Sequence, residues 1–129
     1  MSRSIRRLSN YLSHILEAIE RIGRFTEDMD EAAFSRNEMV QDAVIRNFEV
    51  IGEASHNIEC HFPGFASAHP EIPLAFAYQM RNALAHGYFE VDLEIVWRTI
   101  RSDLPELYAQ VREALHDLAR ESNGDRQKP

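Results

Sequence analysis

Apolar residues recur at helical spacing along most of the chain. Ile5, Leu8, Leu12, Ile15, Ile19 and Ile22 step by three and four, which places them on one face of a helix over 5–25. The acidic stretch 26–34 reads as a short connection with room for one helical turn. Ser35 and Glu38 fit a capping box, in which each side chain satisfies a backbone N–H of the first turn. Behind them Val40, Val44, Phe48, Ile51 and Ile58 carry a second helix to Glu59. Gly52 falls inside that helix, where glycine costs about 1 kcal/mol against alanine. Its presence predicts the close approach of another helix.

Pro63, Gly64, Pro70 and Pro73 make 61–73 a loop, because proline lacks a backbone donor and restricts its predecessor. A third helix is expected over 74–85, with Gly87 placed to end it. Asp92 caps a fourth, whose apolar side is Leu93, Val96, Trp97, Ile100 and Leu104. Asp103 with Glu106 makes a second capping box, and Pro105 suits the first turn of a fifth helix. The stripe continues through Leu107, Val111, Leu115 and Leu118, so two helices nearly in line are expected, with a break at Ser102 and Asp103. Residues 121–129 are polar and read as a frayed tail. The pattern predicts one domain over 1–120, an all-α, up-and-down bundle of four to five helices.

Composition narrows this little. The 44% hydrophobic content of the 129 residues excludes a wholly disordered chain. A single cysteine, Cys60, excludes an internal disulfide and any zinc site built on several thiolates. Ser9, Asn10, Ser13, His14 and Glu17 interrupt the apolar run that a secretory signal needs, and no window is apolar enough to span a bilayer. The expected location is the cytoplasm, with no membrane contact. The net charge of −7 weighs against a generic nucleic-acid binder, which normally carries a basic footprint.

The segment Met80-Arg81-Asn82-Ala83-Leu84-Ala85-His86-Gly87-Tyr88-Phe89 carries the candidate chemistry. Arg81 and His86 are five apart, so on a continuous helix they diverge by about 140°. They converge only where the helix ends or unwinds near His86, and Gly87 supplies that ending. These residue types suit RNA cleavage. The reaction needs a base for the 2′-hydroxyl proton, an acid for the leaving oxygen and a cation for charge on phosphorus. Histidine serves as base or acid near neutrality. Arginine stays charged and grips two phosphate oxygens. Asn82 donates or accepts hydrogen bonds, and Tyr88 orients a phosphate or stacks on a base. The scheme requires no metal and no cofactor.

Arg81, His86 and Tyr88 match the R-x-x-x-x-H-x-Y signature of HEPN-domain ribonucleases. More closely, the chain resembles the HepT toxin family over nearly its whole length. The resemblance includes Arg46-Asn47-Phe48-Glu49-Val50-Ile51-Gly52-Glu53-Ala54, Ile72-Pro73, the segment Arg81 to Tyr88, Val91-Asp92 and Asp103-Leu104-Pro105-Glu106-Leu107. Leu74 departs from it, since relatives often carry Trp there. The resemblance implies a HEPN-like fold and a metal-independent endoribonuclease acting as a homodimer. It also implies a nucleotidyltransferase antitoxin, MntA, which transfers AMP from ATP to the motif tyrosine, here Tyr88, and silences the toxin.

A dimer also follows from chemistry. One histidine cannot act as base and acid in a single concerted step, whereas a two-fold axis beside the motif brings two His86 and two Arg81 into one cleft. Glu49 and Glu53, at i and i+4, are candidates to orient Arg81; the alternative is a solvated helix face. His56 and Cys60 share a helix face with His61 nearby, but a catalytic zinc typically takes three protein ligands plus water, and no further partner is evident. The competing functional readings are a catalytically inactive HEPN binding module and a plain helical adaptor. The positive charges are almost all arginine, with Lys128 the only lysine. The acidic balance therefore predicts local, salt-sensitive RNA contact centred on Arg81.

Overall fold

The computed structural model describes the backbone of residues 2–86 and 92–127 and the side chains of 2–84 and 92–121. Its elements are α1 (Arg3–Thr26), α2 (Glu31–Arg36), α3 (Glu38–His61), α4 (Pro63–Ala68), α5 (Leu74–His86), α6 (Leu93–Arg98) and α7 (Leu104–Gln127), with a π-helical turn over Thr99–Asp103 between the last two. The architecture is the expected all-α bundle. Four long spans (α1, α3, α5 and the joined α6–α7) do the packing, and α2 and α4 are short links. No helix among the described residues is long and apolar enough to cross a membrane.

The stripe of α1 is the core: Leu12, Ile15 and Ile22 are fully buried, with Leu8 and Ile19 nearly so. Each such side chain contributes roughly 1.5–3 kcal/mol by leaving water. Val44, Phe48, Ile51 and Ile58 of α3 meet them, as do Val96, Leu104, Leu107 and Val111. Helix α3 packs against both α1 and α5, and α1 packs also against α7. The central position of α3 explains why its apolar residues spread over more of its circumference than those of α1.

The acidic connection contains a helix of its own. Asp30 caps α2 by accepting from Ala33 N at 2.8 Å, and Phe34, expected in the connection, is fully buried. This shifts the start of the next helix. The first capping box is not formed: Asn37 caps α3, accepting from Val40 N at 3.0 Å, while Ser35 lies inside α2. Asn37→Ala is therefore expected to lower unfolding free energy by about 1 kcal/mol. Ser35→Ala should change it by less than about 0.5 kcal/mol. Equal losses in chemical denaturation would return the cap to Ser35.

The expected break at Ser102 and Asp103 is replaced by a continuous wide turn. Leu104 N bonds Thr99 O, and Thr99 Oγ1 donates to Ile95 O at 2.9 Å. Pro105 explains the widening. Its ring would clash with the carbonyl four residues earlier, and it has no N–H to offer that carbonyl. A π turn relieves the clash while keeping the apolar phase from Ile100 to Leu104. Asp103 and Glu106 stay exposed and cap nothing. Arg101 anchors the turn, stacking 4.5 Å from the Trp97 ring and donating to Met29 O at 2.7 Å. The last helix continues to Gln127, into the stretch read as a tail.

The 61–73 loop also gains one short helix, α4, started by Pro63. Beyond it Ile72 and Leu74 are each 4% exposed and clamp the start of α5 to the core. Leu74 fills its place without a tryptophan. The His69 ring, 2.9 Å from Glu71, holds that carboxyl below the usual carboxylate range, through the hydrogen bond first.

Candidate active site at the seam of α3 and α5

Helix α5 reaches the motif on a close-packed seam. A Cβ built on Gly52 would lie 2.8 Å from Arg81 Cγ, nearer still to Arg81 Cβ, and 3.0 Å from Ala77 O. The missing side chain of Gly52 is the seat for the stem of Arg81. The close approach expected from a mid-helix glycine is present, and the approaching residue is the motif arginine itself.

From that seat the Arg81 guanidinium donates from Nη1 to Asn82 Oδ1 at 2.9 Å. Arg81 Nε is buried and has no hydrogen-bond partner among the described residues. An unmet buried donor costs about 1–3 kcal/mol. The cation is thus held by its stem and by one neutral neighbour, with donor capacity left over. Neither candidate carboxylate orients it. Glu49 pairs with Arg46 at 3.5 Å, and Glu53 is exposed without an ion pair among the described residues. Both follow α3 on the flank of Gly52, one turn before it and one residue after it. The guanidinium meets Asn82 first because that acceptor is its own chain neighbour.

His86 is the last described residue of α5. Its side chain, and the expectations placed on Gly87 and Tyr88, lie outside the described residues. On the helical wheel Asn82 and His86 lie about 20° to either side of Ala75, with Gln79 about 20° beyond His86. Ala75, Phe76, Gln79 and Ala83 are exposed, Phe76 at 53%. Asn82 and the helix position of His86 thus lie beside an exposed, mostly apolar stripe, whereas Arg81 faces α3.

One cluster was not legible as a site in the sequence. His56 of α3 and Tyr78 of α5 stack with centroids 4.0 Å apart and planes 15° from parallel. Cys60 Sγ lies 3.5 Å from His56 Nε2, so that suggested pair does meet. No group of three or more His, Cys, Asp or Glu poised for a metal occurs among the described residues. Only the four-residue spacings from Gly52 to His56 and from Tyr78 to Asn82 hinted at a shared seam.

The comparisons with known proteins identify the family. Residues 15–114 match the family described as ribonuclease HepT-like. A probable ribonuclease HepT of Thermococcus cleftensis is 44% identical over 98 residues, covering 76% of this chain and 86% of that one. A protein of Methanocaldococcus jannaschii described as a gamma-glutamylcyclotransferase and putative RNase is 37% identical over 113 residues. That match covers 88% of this chain but only 50% of the relative, so the chain spans about half of it. A putative RNase of the same organism is 35% identical over 108 residues, covering 84% of this chain and 96% of the relative. No solved structure matches. The match over residues 15–114 and these relatives place the chain in the HepT-like ribonuclease family.

Proposed function

We propose that the chain is an endoribonuclease, cytoplasmic and active as a homodimer, and the toxin of a toxin–antitoxin pair. The observation that supports it best is the Arg81 guanidinium, fixed at its stem by Gly52 and at its head by Asn82, with no carboxylate paired to it among the described residues. A phosphate oxygen that accepts from the outer guanidinium nitrogens gains a charge-assisted hydrogen bond. His86 takes the 2′-hydroxyl proton. The 2′-oxygen attacks phosphorus, the P–O5′ bond breaks, and a second His86 protonates the departing oxygen. That second histidine comes from another copy of the chain. The exposed stripe of Ala75, Phe76, Gln79 and Ala83 supports this as a mostly apolar surface beside Asn82 on which a two-fold contact can form.

In this reading a nucleotidyltransferase antitoxin of the MntA kind transfers AMP from ATP to the Tyr88 hydroxyl and releases pyrophosphate. The phosphodiester formed adds negative charge to the motif that binds the substrate phosphate, which explains silencing. The test is RNA cleavage by the purified protein before and after incubation with the antitoxin and ATP. Cleavage should stop as intact mass rises by AMP units, and Tyr88→Phe should abolish the mass gain. A mass gain on a protein that never cuts RNA would favour the inactive binding module. Neither cleavage nor mass gain would leave the helical adaptor.

A further inference from the structure

We propose that His56 and Tyr78 form a nucleobase-stacking subsite beside Arg81. This rests on Arg81 gripping a phosphate. The register of the seam places the pair. Gly52 meets Arg81 and Ala77, and His56, one turn on in α3, meets Tyr78, one turn back in α5. The helices run antiparallel, so the stacked rings lie one helical turn from the arginine along the same seam. Tyr78, Asn82 and His86 occupy positions i, i+4 and i+8 of α5, a single line on the helix surface. The hydrogen bond to Asn82 turns the Arg81 head toward that line. Platform, cation and motif histidine thus follow one edge of α5.

The chemistry of the pair fits a base. Both rings are half-buried, so neither is sealed into the core, and the seam is already closed by the contact of Gly52 with Arg81. Proteins that hold single-stranded RNA combine a cationic track for the backbone with aromatic planes for unstacked bases. A phosphate clamp alone holds the strand at one point, and tight binding needs a second point of contact. Stacking the neighbouring base on Tyr78 and His56 supplies it without reading base identity. The contact of Cys60 with His56 limits how the imidazole turns.

Short single-stranded RNAs with one cleavage site, carrying a single abasic nucleotide at each position in turn, test this. With the wild-type protein, one position adjacent to the site should raise KM by about tenfold when abasic. Tyr78→Leu should raise KM on intact RNA by a similar factor, with kcat changing far less, and should remove the abasic penalty. Tyr78→Phe should restore it. His56→Leu provides the same measurement from α3 if Tyr78→Leu folds poorly by circular dichroism. An abasic penalty unchanged in both leucine variants, or no penalty at any position, overturns the subsite. Arg81→Met assayed beside them separates the two ideas. If it cuts normally, the reading of Arg81 fails; if it is inactive while the leucine variants behave as wild type, only the subsite fails.

Discussion

Arg81→Met is expected to lower the rate of RNA cleavage by about 10²–10³-fold, the loss typical of removing a donor that stabilises transition-state charge. Methionine keeps most of the stem that packs on Gly52 and deletes only the guanidinium. Helicity and melting temperature should therefore stay near wild type, which separates a lost cation from a lost fold. His86→Ala should lose about 10²–10⁴-fold, as general acid–base groups do. Mixing tells whether the site is shared. If one cleft needs two His86, equal amounts of wild type and His86→Ala, allowed to exchange subunits, leave about one quarter of dimers intact. Activity per wild-type protomer then falls by half. Independent protomers would show no fall, and the shared cleft would be wrong.

Gly52→Ala is expected to destabilise the protein and to cut activity with it, against the sign that helix propensity gives. In an open helix the exchange gains about 1 kcal/mol, because alanine loses less backbone freedom. Here the new Cβ falls within 2.8 Å of Arg81 Cγ and 3.0 Å of Ala77 O. A Cβ and a backbone carbonyl cannot rotate away, so α3 and α5 must separate. Overpacking of this kind costs about 1–3 kcal/mol. A net loss near 1 kcal/mol lowers the melting temperature by about 4 °C. The moving part is the seat of Arg81, so cleavage should fall even below the transition, where the protein is folded. A melting temperature at or above wild type would show that the seam has slack. Gly23, with nothing within 4 Å of its own added Cβ, is the control, and Gly23→Ala should stabilise.

Much of the architecture is legible in the chain because burial follows period. The α1 stripe from Leu8 to Ile22 is the core, and the stripe from Val96 to Val111 is buried as its spacing implies. Local capping chemistry was less decisive. Ser35 and Glu38 have the form of a capping box, yet burying Phe34 drew 31–36 into α2 and passed the cap to Asn37. Asp103, Pro105 and Glu106 have the form of a new start, yet the apolar phase across Ile100 and Leu104 was worth more than a cap. A π turn absorbed the proline instead. In both places a hydrogen bond of about 1 kcal/mol yielded to apolar burial of about 2 kcal/mol or more.

The site divides in the same way. By itself the sequence determined the motif and the need for something to approach Gly52, because these depend on residue identity and on helix geometry along one chain. Only the tertiary structure decided that the approaching group is Arg81. It also decided that Asn82 rather than Glu49 or Glu53 holds the guanidinium, and that His56 stacks on Tyr78 beside it. Those outcomes depend on the register between α3 and α5. That register is set by how two surfaces fit across a gap, and no periodicity within either helix encodes it.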